Sequence, residues 1–277
     1  AIDQGGHASR AILFDETGGK VGEASAPVAT RREGADRVEH DAEELITSLE
    51  RVIGEVCARA QLTGRAVLRA GLATQRSSMV CWDRVSGQAL SPVISWQDRR
   101  TAPWLEPLRP QADAIRERTG LVLNPHYGAS KMRWCLDHLP AVQRAAATGD
   151  LALGPLSSYL VARLTAERTC VVDPANASRT LLFDATTLQW SPDMLRLFDL
   201  VAEQLPACVP TRHGFGHVDC AGRLVPLTAC TGDQSAAAFA LGEPDAGCAL
   251  VNVGTGAFIQ RIAPPGTPLP DGILRSV

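Results

Sequence analysis

Two glycine-rich turns, one near each end of the chain, carry residue types that can bind phosphate. The first is DQGGHASR, in which Asp3 precedes Gly5 and Gly6 and Arg10 follows them; the second is NVGTGAF, around residues 254–256. Backbone N–H groups in such turns form a concave site for phosphate oxygens, and glycine lets an anion approach closely. A tight hairpin also needs glycine. It does not need a carboxylate suited to hydrated Mg²⁺ or a guanidinium suited to a phosphoryl group.

A third candidate is the stretch TGDQSAAAFALG, where Asp233 stands between the apolar segment LVPLTAC and an alanine-rich helix. A carboxylate at a strand–helix junction can face the cleft at the carboxyl ends of the strands, where α/β proteins bind ligands. The structural alternative is that Asp233 only caps the helix. Gln234 beside it adds a hydrogen-bonding group that suits a polyhydroxylated ligand.

The composition is that of an ordinary globular protein: 277 residues, 45% of them hydrophobic and 21% charged, with a net charge of −3. This charge gives no reason to expect nucleic acid or an anionic membrane as a partner. No apolar run approaches the roughly 20 residues that span a bilayer, and the start lacks a secretory signal pattern, so we expect a cytoplasmic protein. The eight cysteines stand singly, without a C-x-x-C pair, so we expect reduced structural thiols.

The order of the predicted elements indicates a mixed sheet with helices packed on it. The segments SRAILFDE, KVGEASAPV and GADRVEH have the pattern of three strands in an antiparallel meander. Residues 41–60 follow as a helix, because apolar residues recur on one face and Asp41 can cap its start. Residues 101–166 are mostly helical, and the last third alternates strand, helix, strand, turn and strand. The chain ends in the Pro/Gly-rich PPGTPLPDGILRSV, a composition expected at a domain boundary.

Eight segments resemble, in order, motifs of the FGGY carbohydrate kinases, and they span essentially the whole chain. They are AIDQGGHASRAILFD, RVEHDAEEL, TQRSSMVCWDR, SWQDRRT, TGLVLNPHYGASKMRW, NASRTLLFD, TGDQSAAAFALG and NVGTGAF. The resemblance implies an α/β fold of the ribonuclease H-like, actin-like ATPase class, in which helices flank a mixed sheet. It also implies that residues 1–277 are the family's N-terminal substrate-binding and phosphate-loop domain, and that the C-terminal nucleotide-binding domain has no counterpart in this chain.

The resemblance assigns the two turns to the phosphates of ATP and Asp233 to the reaction itself. Asp3 and Asp233 would lie toward Mg²⁺, Arg10 would lie toward the γ-phosphate, and Asp233 would act as the general base. The matching phosphate-binding positions are Asp3, Gly5, Gly6, His7, Arg10, Gly254, Thr255 and Gly256. The matching substrate-binding positions are Arg76, Ser77, Trp96, His126, Asp233 and Gln234, with Trp96 as an apolar wall.

Departures from the glycerol kinases of this family concern both the substrate and the phosphates. Ser77 stands where those proteins have glutamate, and His126 stands where they have tyrosine. Gly6 and His7 replace a pair of threonines in the first turn. Because a neutral hydroxyl holds a substrate hydroxyl less strongly than a carboxylate does, the sequence predicts that glycerol is a poorer substrate than a longer polyol or ketose.

Other polar residues of these motifs are expected to be structural. Asn176 and Arg179, in NASRTLLFD, are expected to fix a turn, and Arg99 and Arg100, in SWQDRRT, are expected to hold a loop together. His40, just before the predicted helix, is expected to be a capping or packing group.

The leading hypothesis is the first domain of an ATP-dependent, Mg²⁺-requiring kinase that phosphorylates an alcohol group of a small polyol or sugar. One alternative is a true glycerol kinase that tolerates Ser77 and His126. Another, of a different class, is a non-catalytic, actin-like sugar-binding or regulatory module; the retained Asp3, Arg10 and Asp233 argue against it. The isolated domain is expected to be inactive, because it lacks a lid that excludes water. The full-length protein is a candidate homo-oligomer.

Overall fold

The structure, a computed structural model, describes residues 1–240, 242–253, 257–264, 267–268, 270 and 272–277. The strands are β1 (Ile2–Gln4), β2 (Ala8–Phe14), β3 (Lys20–Pro27), β4 (Arg31–Glu33), β5 (Arg37–His40), β6 (Ala70–Thr74), β7 (Met79–Asp83), β8 (Val93–Ile94), β9 (Leu151–Pro155), β10 (Val171–Val172), β11 (Phe183–Asp184), β12 (Gln189–Trp190), β13 (Ala207–Cys208), β14 (Arg212–Cys220), β15 (Arg223–Gly232), β16 (Ala249–Val253) and β17 (Ala257–Arg261). The helices are α1 (Ala42–Leu62), α2 (Ala102–Leu105), α3 (Ala112–Thr119), α4 (Gly128–His138), α5 (Pro140–Thr148), α6 (Leu156–Leu164), α7 (Pro174–Ala177), α8 (Pro192–Leu197) and α9 (Asp233–Ala237). Short 3₁₀ segments lie at Glu106–Gln111, Ser178–Thr180 and Ala202–Gln204.

Two sheets form the framework of the fold. The larger has six strands in the spatial order β14-β15-β6-β1-β2-β3. Within it β1 is parallel to β6 and β6 to β15, whereas β2, β3 and β14 run antiparallel to their neighbours. The second sheet, in the order β4-β5-β8-β7-β9, is antiparallel. The prediction of a mixed sheet with helices packed on it is confirmed.

The first glycine turn lies at the tip of an N-terminal hairpin formed by β1 and β2. β1 and β2 pair with Asp3 directly opposite Arg10, and the N–H of Gly5 donates to the carbonyl of Ala8 at 3.0 Å to close the turn. Directly opposed residues of an antiparallel pair project from the same face of the sheet. The carboxylate and the guanidinium noted in the sequence are therefore neighbours in space.

Helix α1 packs on β2 and β3 and supplies much of the core. Leu45, Leu49 and Val52 recur on one face of the helix and are fully buried. Asp41 caps the helix, since its carboxylate accepts hydrogen bonds from the backbone N–H groups of the two glutamates that follow. The predicted helix and its predicted cap are both confirmed.

The third strand of the predicted meander does not join the other two. The segment RVEH forms β5, which pairs with β8 of the second sheet and places Glu39 opposite Ile94. β3 ends at Pro27, which has no N–H for a further ladder bond, and the chain then crosses to the second sheet. His40 is buried there, with Nδ1 3.0 Å from the carbonyl oxygen of Ala29, so it is a packing residue.

Cys57 and Cys220 form a disulfide, so the expectation that the cysteines are reduced is wrong for this pair. α1 packs against β14, which brings the two Cα atoms to 5.3 Å, within the span that a disulfide bridges. The two residues lie 163 positions apart, so no local spacing in the sequence indicates the pair. Free thiols remain at Cys81, Cys135, Cys170, Cys208, Cys230 and Cys248.

Helix α6 joins the two sheets into one core. It packs against β6 and β14 of the larger sheet and against β7 and β9 of the second, and Tyr159 and Leu160 on it are fully buried. The cluster of buried hydrophobic residues around α6 includes Leu72 of β6 and Val80 of β7, so it supports strands of both sheets. Within the part of the chain that the structure describes, no helix has the length and apolar character needed to cross a membrane.

Candidate active site

Three parallel strands end side by side and bring separate motifs to one edge of the larger sheet. Gln4 at the end of β1 lies opposite Thr74 at the end of β6, and Thr74 lies opposite Gly232 at the end of β15. The first glycine turn follows β1, Arg76 follows β6 and Asp233 follows β15. Ligand sites of α/β sheets lie beyond the carboxyl ends of such strands.

Asp233 is the first residue of α9, and the N-cap position belongs to Gly232, so capping does not explain this carboxylate. Its Oδ1 accepts a hydrogen bond from the backbone N–H of Gln234 at 2.6 Å and lies 4.0 Å from Arg76 Nε. Burial raises the pKa of Asp233, and the charges of Arg76 and Arg179 oppose the rise. A carboxylate with a raised pKa at a sheet edge is suited to accept a proton.

Arg76 is buried at the same junction, with 8% of its side chain exposed. Its Nη1 donates to Ser235 Oγ at 3.3 Å and to Ser276 Oγ at 3.0 Å. Gly232 leaves the space that this side chain needs, because a Cβ there would lie 2.2 Å from Arg76 Cδ. Burial lowers the pKa of Arg76 to about 10, so the guanidinium stays charged at neutral pH.

Asp3 and Arg10 face each other across the hairpin, with 3.8 Å between Oδ2 and Nη1. Burial raises the pKa of Asp3, Arg10 opposes the rise, and the charge of Asp233 adds to it. Two carboxylates thus lie within electrostatic range of each other. Such a pair fits Mg²⁺, which keeps several waters and takes one or two protein carboxylates together with substrate phosphates. No cluster of three or more His, Cys, Asp or Glu side chains among the described residues offers a metal site of another kind.

The first glycine turn engages its carbonyl groups inside the protein. Gln4 Nε2 donates to the carbonyl of Gly5 at 2.8 Å, and Thr30 Oγ1 donates to the carbonyl of Gly6 at 3.1 Å. His7 is exposed at the tip. A turn whose carbonyls are directed to protein donors is suited to an anion at its N–H groups.

The second turn, Gly254, Thr255 and Gly256, lies outside the described residues. The strands on either side of it are described, and β16 and β17 pair in antiparallel fashion with Val253 opposite Ala257. The expected flanking strands are therefore present, and the phosphate-binding role of the turn stays a prediction.

A cavity of about 260 Å³ opens where the segments SWQDRRT and NPHYG meet. It is lined by Trp96, Gln97, Asp98, Arg99, Asn124 and His126. The rings of Trp96 and His126 meet edge to face, with 5.7 Å between their centroids. Burial lowers the pKa of His126 to about 3, and nearby cations add to the effect. The imidazole is therefore neutral and has one donor and one acceptor nitrogen.

Lys131 ties two of the sequence-predicted substrate positions together. Its Nζ donates to the carbonyl of Ser77 at 3.0 Å and to the carbonyl of His126 at 2.7 Å. Burial lowers the pKa of Lys131 to about 7. Ser77 has a φ of 63°, a backbone region that non-glycine residues rarely adopt. Its buried hydroxyl has no hydrogen-bond partner among the described residues.

Arg179 does not fix a turn, contrary to the expectation from NASRTLLFD. Its Nε and Nη1 atoms are shielded from solvent and have no hydrogen-bond partner in the described part of the chain. The guanidinium instead lies over the ring of Tyr127, with 5.5 Å from Cζ to the centroid. Asn176 is structural as expected, since it accepts from Thr74 Oγ1 at 3.3 Å and donates to Asp173 Oδ1 at 2.7 Å.

The two arginines of SWQDRRT also have different roles: the side chain of one holds the loop, and the side chain of the other lines the cavity. Arg100 holds its loop, with Nη2 donating to Glu39 Oε1 at 2.6 Å and to Asp98 Oδ2 at 2.7 Å. The side chain of Arg99 is exposed and lines the cavity beside Trp96, and its part in holding the loop is made by its backbone, whose N–H donates to the carbonyl of Asp36 at 2.8 Å.

The family is decided by a match over most of the chain. Residues 1–240 match the model of the FGGY family of carbohydrate kinases, N-terminal domain. The chain belongs to the FGGY family of carbohydrate kinases. The resemblance inferred from the eight motifs is thereby confirmed.

Individual FGGY relatives agree with this assignment. The chain is 40% identical over 263 residues to a glycerol kinase of Alkalilimnicola ehrlichii, which covers 94% of this chain and 53% of that protein. It is 36% identical over 281 residues to a glycerol kinase of Geobacter sp. strain M21, covering 100% of this chain and 57% of that protein. The chain therefore spans little more than half the length of these relatives.

Solved structures of FGGY kinases confirm the fold class. The crystal structure of Plasmodium falciparum glycerol kinase with ADP matches with a TM-score of 0.87 and 27% identity, covering 94% of this chain and 53% of that one. A xylulose kinase of Rhodospirillum rubrum matches with a TM-score of 0.82 and 23% identity, covering 93% of this chain and 54% of that one. These sugar kinases have the actin-like ATPase fold, as predicted for this chain.

Sequence reasoning missed several residues that the FGGY fold brings to the site. Lys131 and Arg179 lie inside quoted motifs, so the signal for them was available, but neither was given a place at the site. Ser235 follows Gln234 directly, so the motif that contains Gln234 also gave a signal for Ser235. Ser276, which bonds to Arg76 from 200 positions away, gives no local signal at all.

Proposed function

We propose that this chain is the acceptor-binding half of an ATP-dependent kinase that phosphorylates an alcohol group of a small polyol or sugar. The observation that carries the proposal is the placement of Asp233, 4.0 Å from Arg76 Nε and within the electrostatic influence of Asp3. In this proposal Asp233 faces the acceptor hydroxyl, and Asp3 faces the phosphates of ATP. Membership of a carbohydrate kinase family supports the same reaction.

In the proposed reaction Asp233 removes the proton of the acceptor hydroxyl as its oxygen attacks the γ-phosphorus of ATP. The new O–P bond forms while the bond from the γ-phosphorus to the β,γ-bridging oxygen breaks, so ADP leaves and the proton stays on Asp233. Burial raises the pKa of Asp233, which brings it nearer to the working pH of a general base. Arg10 stabilises negative charge on the transferred phosphoryl group.

The phosphate side of the site is assigned to the hairpin and to the second turn. Asp3 and Asp233 are the carboxylates that would hold Mg²⁺, a donor set of the kind this ion takes beside phosphates. The ion neutralises charge on the phosphate oxygens when it is bound. Because the N–H of Gly5 is engaged by Ala8, the N–H groups of Gly6 and His7 and those of the turn at residues 254–256 would bind the same oxygens.

The acceptor is assigned to the space beside Trp96 and His126. The indole of Trp96 would cover the apolar side of the carbon chain, while the neutral His126 and Gln234 would bond to hydroxyls. Glycerol is the second candidate acceptor, because relatives at 40% and 36% identity are glycerol kinases. Ser77, in place of a glutamate, favours a longer polyol or ketose over glycerol, since a neutral hydroxyl holds a substrate hydroxyl less strongly than a carboxylate does.

We also propose that residues 1–277 act as the N-terminal unit of a two-domain kinase. The relatives are nearly twice as long as the match, and their remaining half would complete the site around the adenine of ATP. The 277-residue chain alone is then expected to bind acceptor without turning it over.

The test is ADP release by the protein in its full natural length, with ATP, Mg²⁺ and a panel of polyols and ketoses. Asp233→Asn is expected to lower kcat by about 10²-fold or more while acceptor binding is kept, because only the proton acceptor is lost. Asp113→Asn, an exposed change on α3, is the matched control and is expected to keep full activity.

Two outcomes contradict the proposal. Near-normal turnover of Asp233→Asn at saturating acceptor would remove Asp233 from the reaction. If an acceptor binds but none on the panel causes release of ADP, the non-catalytic sugar-binding module would be favoured.

A further inference from the structure

A second cavity lies at the opposite end of β7 from Ser77, away from the candidate active site. Its volume is about 410 Å³, within the range of cavities that bind small molecules. It is lined by residues of α1, the turn after β7, α6 and the loop after α6, namely Glu43, Ser86, Gln88, Ala89, Arg163 and Arg168. Apart from Glu43, these residues lie outside the eight motifs that resemble the FGGY kinases. The phosphotransfer reaction therefore does not account for this cavity.

Arg163 is one of two arginines that line the cavity, and it is engaged by other protein groups. Its Nη2 donates to Glu43 Oε2 at 2.9 Å, and its Nη1 donates to the hydroxyl of Tyr159 at 2.7 Å. The turn after β7 packs against this side chain at Gly87, where a Cβ would lie 3.0 Å from Arg163 Cδ. Arg163 and Glu43 thus form a neutral pair held in one place.

Arg168, the other arginine of the cavity, is exposed and makes only weak contacts with protein. Its Nη1 lies 3.5 Å from the carbonyl oxygen of Val85 and 3.4 Å from that of Ser86, both longer than ordinary N–H···O bonds. Among the described residues, the guanidinium has no other hydrogen-bond partner and no carboxylate pairs with it. The cavity therefore has two guanidinium groups and one carboxylate, which leaves one positive charge.

The backbone holds Arg168 at the cavity in a conformation that costs free energy. Its φ is 53°, in the left-handed region that non-glycine residues rarely adopt. The residues on either side of it are tied to β14: Glu167 accepts from the backbone N–H of His217 at 2.7 Å, and Thr169 Oγ1 donates to the carbonyl of Phe215 at 2.5 Å. The carboxylate next to Arg168 in the chain is thus used elsewhere, and the weak contacts of the guanidinium do not explain the conformation.

We propose that this cavity binds a small hydroxylated monocarboxylate and that Arg168 binds its carboxylate group. A guanidinium binds a carboxylate through parallel, charge-assisted hydrogen bonds. One negative charge matches the one positive charge left over, whereas a phosphate monoester carries close to two. The amide of Gln88, which is exposed and whose side chain bonds to no other described residue, is placed to bond to the ligand's hydroxyls. This ligand is distinct from the acceptor, because the cavity lies apart from Asp233 and Trp96.

The experiment is a calorimetric titration of the full-length protein with erythronate, and with erythritol as the neutral molecule of the same carbon count. Erythronate is expected to bind more tightly by about tenfold or more, as a charge-assisted hydrogen-bond pair warrants. Equal affinity for the two molecules, or the absence of saturable erythronate binding, overturns the inference. Tighter binding of inorganic phosphate than of erythronate overturns the choice of a monocarboxylate.

Variants of Arg168 show which cavity holds the erythronate. Arg168→Gln is expected to raise the Kd for erythronate by about tenfold or more while the kcat and the acceptor KM stay at wild-type values. Arg168→Lys keeps the charge but not the planar fork, so partial recovery of erythronate binding is expected. Arg109→Gln, at an exposed arginine of a 3₁₀ segment, is the matched control and is expected to bind erythronate as wild type does.

Two results with Arg168→Gln overturn the inference and leave the proposed kinase function standing. Wild-type affinity for erythronate would place this molecule outside the second cavity. A rise in the acceptor KM equal to the rise in the Kd for erythronate would mean that both molecules bind at one site.

Discussion

Burial raises the pKa of the acidic residues that pack around the site. The pKa values of Asp3 and Asp233 are raised. Asp173, whose charge acts on Arg76, has a pKa raised to about 6. Each of these carboxylates is thus held in surroundings that disfavour its charge. Arg10 offsets part of the rise for Asp3, and Arg76 offsets part of it for Asp233.

Asp233 is expected to give the kcat/KM of the full-length protein an acid limb above the ordinary carboxylate range. A general base must be deprotonated to work, so activity falls as the pH is lowered through its raised pKa. Steady-state rates measured from below the usual aspartate pKa up to neutral pH would show the limb. Its persistence in Asp233→Asn, at whatever rate remains, would assign the limb to another group.

Asp173 is expected to make the protein less stable as the pH rises through about 6. Its carboxylate is fully buried, and its pKa of about 6 lies above the usual 3.8. The contribution to stability is therefore complete below the usual value and is lost as the pH rises through the folded-state pKa. A shift of about two units corresponds to about 3 kcal/mol in the free energy of unfolding.

The measurement for Asp173 is urea unfolding of wild type and Asp173→Asn at pH values that span the usual pKa of 3.8 and the folded-state pKa of about 6. The difference between their unfolding free energies is expected to change by about 2 to 3 kcal/mol with pH. A difference that stays constant with pH would show that Asp173 does not titrate in this window.

The sequence predicted those site residues whose chemical type and whose position at the end of a strand both indicate a role. Asp3 lies in β1 just before the first turn and Asp233 follows β15, so both stand at strand ends that the sequence pattern indicates, whereas Arg76, which follows β6, was assigned through the family resemblance. Arg179 could not be placed in this way, because its significance lies in the hydrogen bonds that it does not make. Whether a buried donor is satisfied is a property of packing between distant segments and has no local pattern.

At the scale of elements, the junction between β15 and α9 positions both Asp233 and Arg76. Gly232 ends the strand and stands at the N-cap of the helix, and its missing side chain is the space that Arg76 occupies. The sequence predicted this strand and helix correctly. It did not predict that β5 would leave the first sheet, because strand pairing depends on partners far along the chain.

Gly232→Ala is expected to displace Arg76 and to impair the site. The added Cβ would lie 2.2 Å from Arg76 Cδ, a distance at which one group has to move. The expected result is a rise in acceptor KM and a loss of about 1 to 3 kcal/mol in unfolding free energy, as overpacking causes. Acceptor titration and urea unfolding would measure the two effects.

The matched control is Gly214→Ala on β14, where a Cβ would meet nothing within 4 Å. This variant is expected to keep acceptor binding unchanged. Wild-type binding by Gly232→Ala would show that Arg76 can shift without consequence for the acceptor.

At the scale of the molecule, α1 crosses the larger sheet from one edge to the other. It packs on β3 at one edge and on β14 at the opposite edge, and the disulfide from Cys57 to Cys220 fastens it there. The sequence predicted the helix but not its reach, since scattered cysteines do not reveal their partners. The bond also bears on the expected cytoplasmic location, because disulfides persist mainly in oxidising compartments; that location stays a prediction.

Removing the disulfide is expected to destabilise the whole fold without changing the site chemistry. The bond closes a loop of 163 positions, and constraining an unfolded chain over such a loop is worth about 2 to 5 kcal/mol. Cys57→Ser with Cys220→Ser should therefore lower the free energy of unfolding by this amount and lower the Tm. Cys248→Ser, at an exposed free thiol, should leave both unchanged.

Because the bond lies in β14 and α1, away from Asp233 and Arg76, the acceptor KM of the double variant should match wild type below its Tm. Titration of the native protein, purified without reductant, with a thiol reagent under denaturing conditions decides the premise: reaction of all eight cysteines would show that the bond does not form.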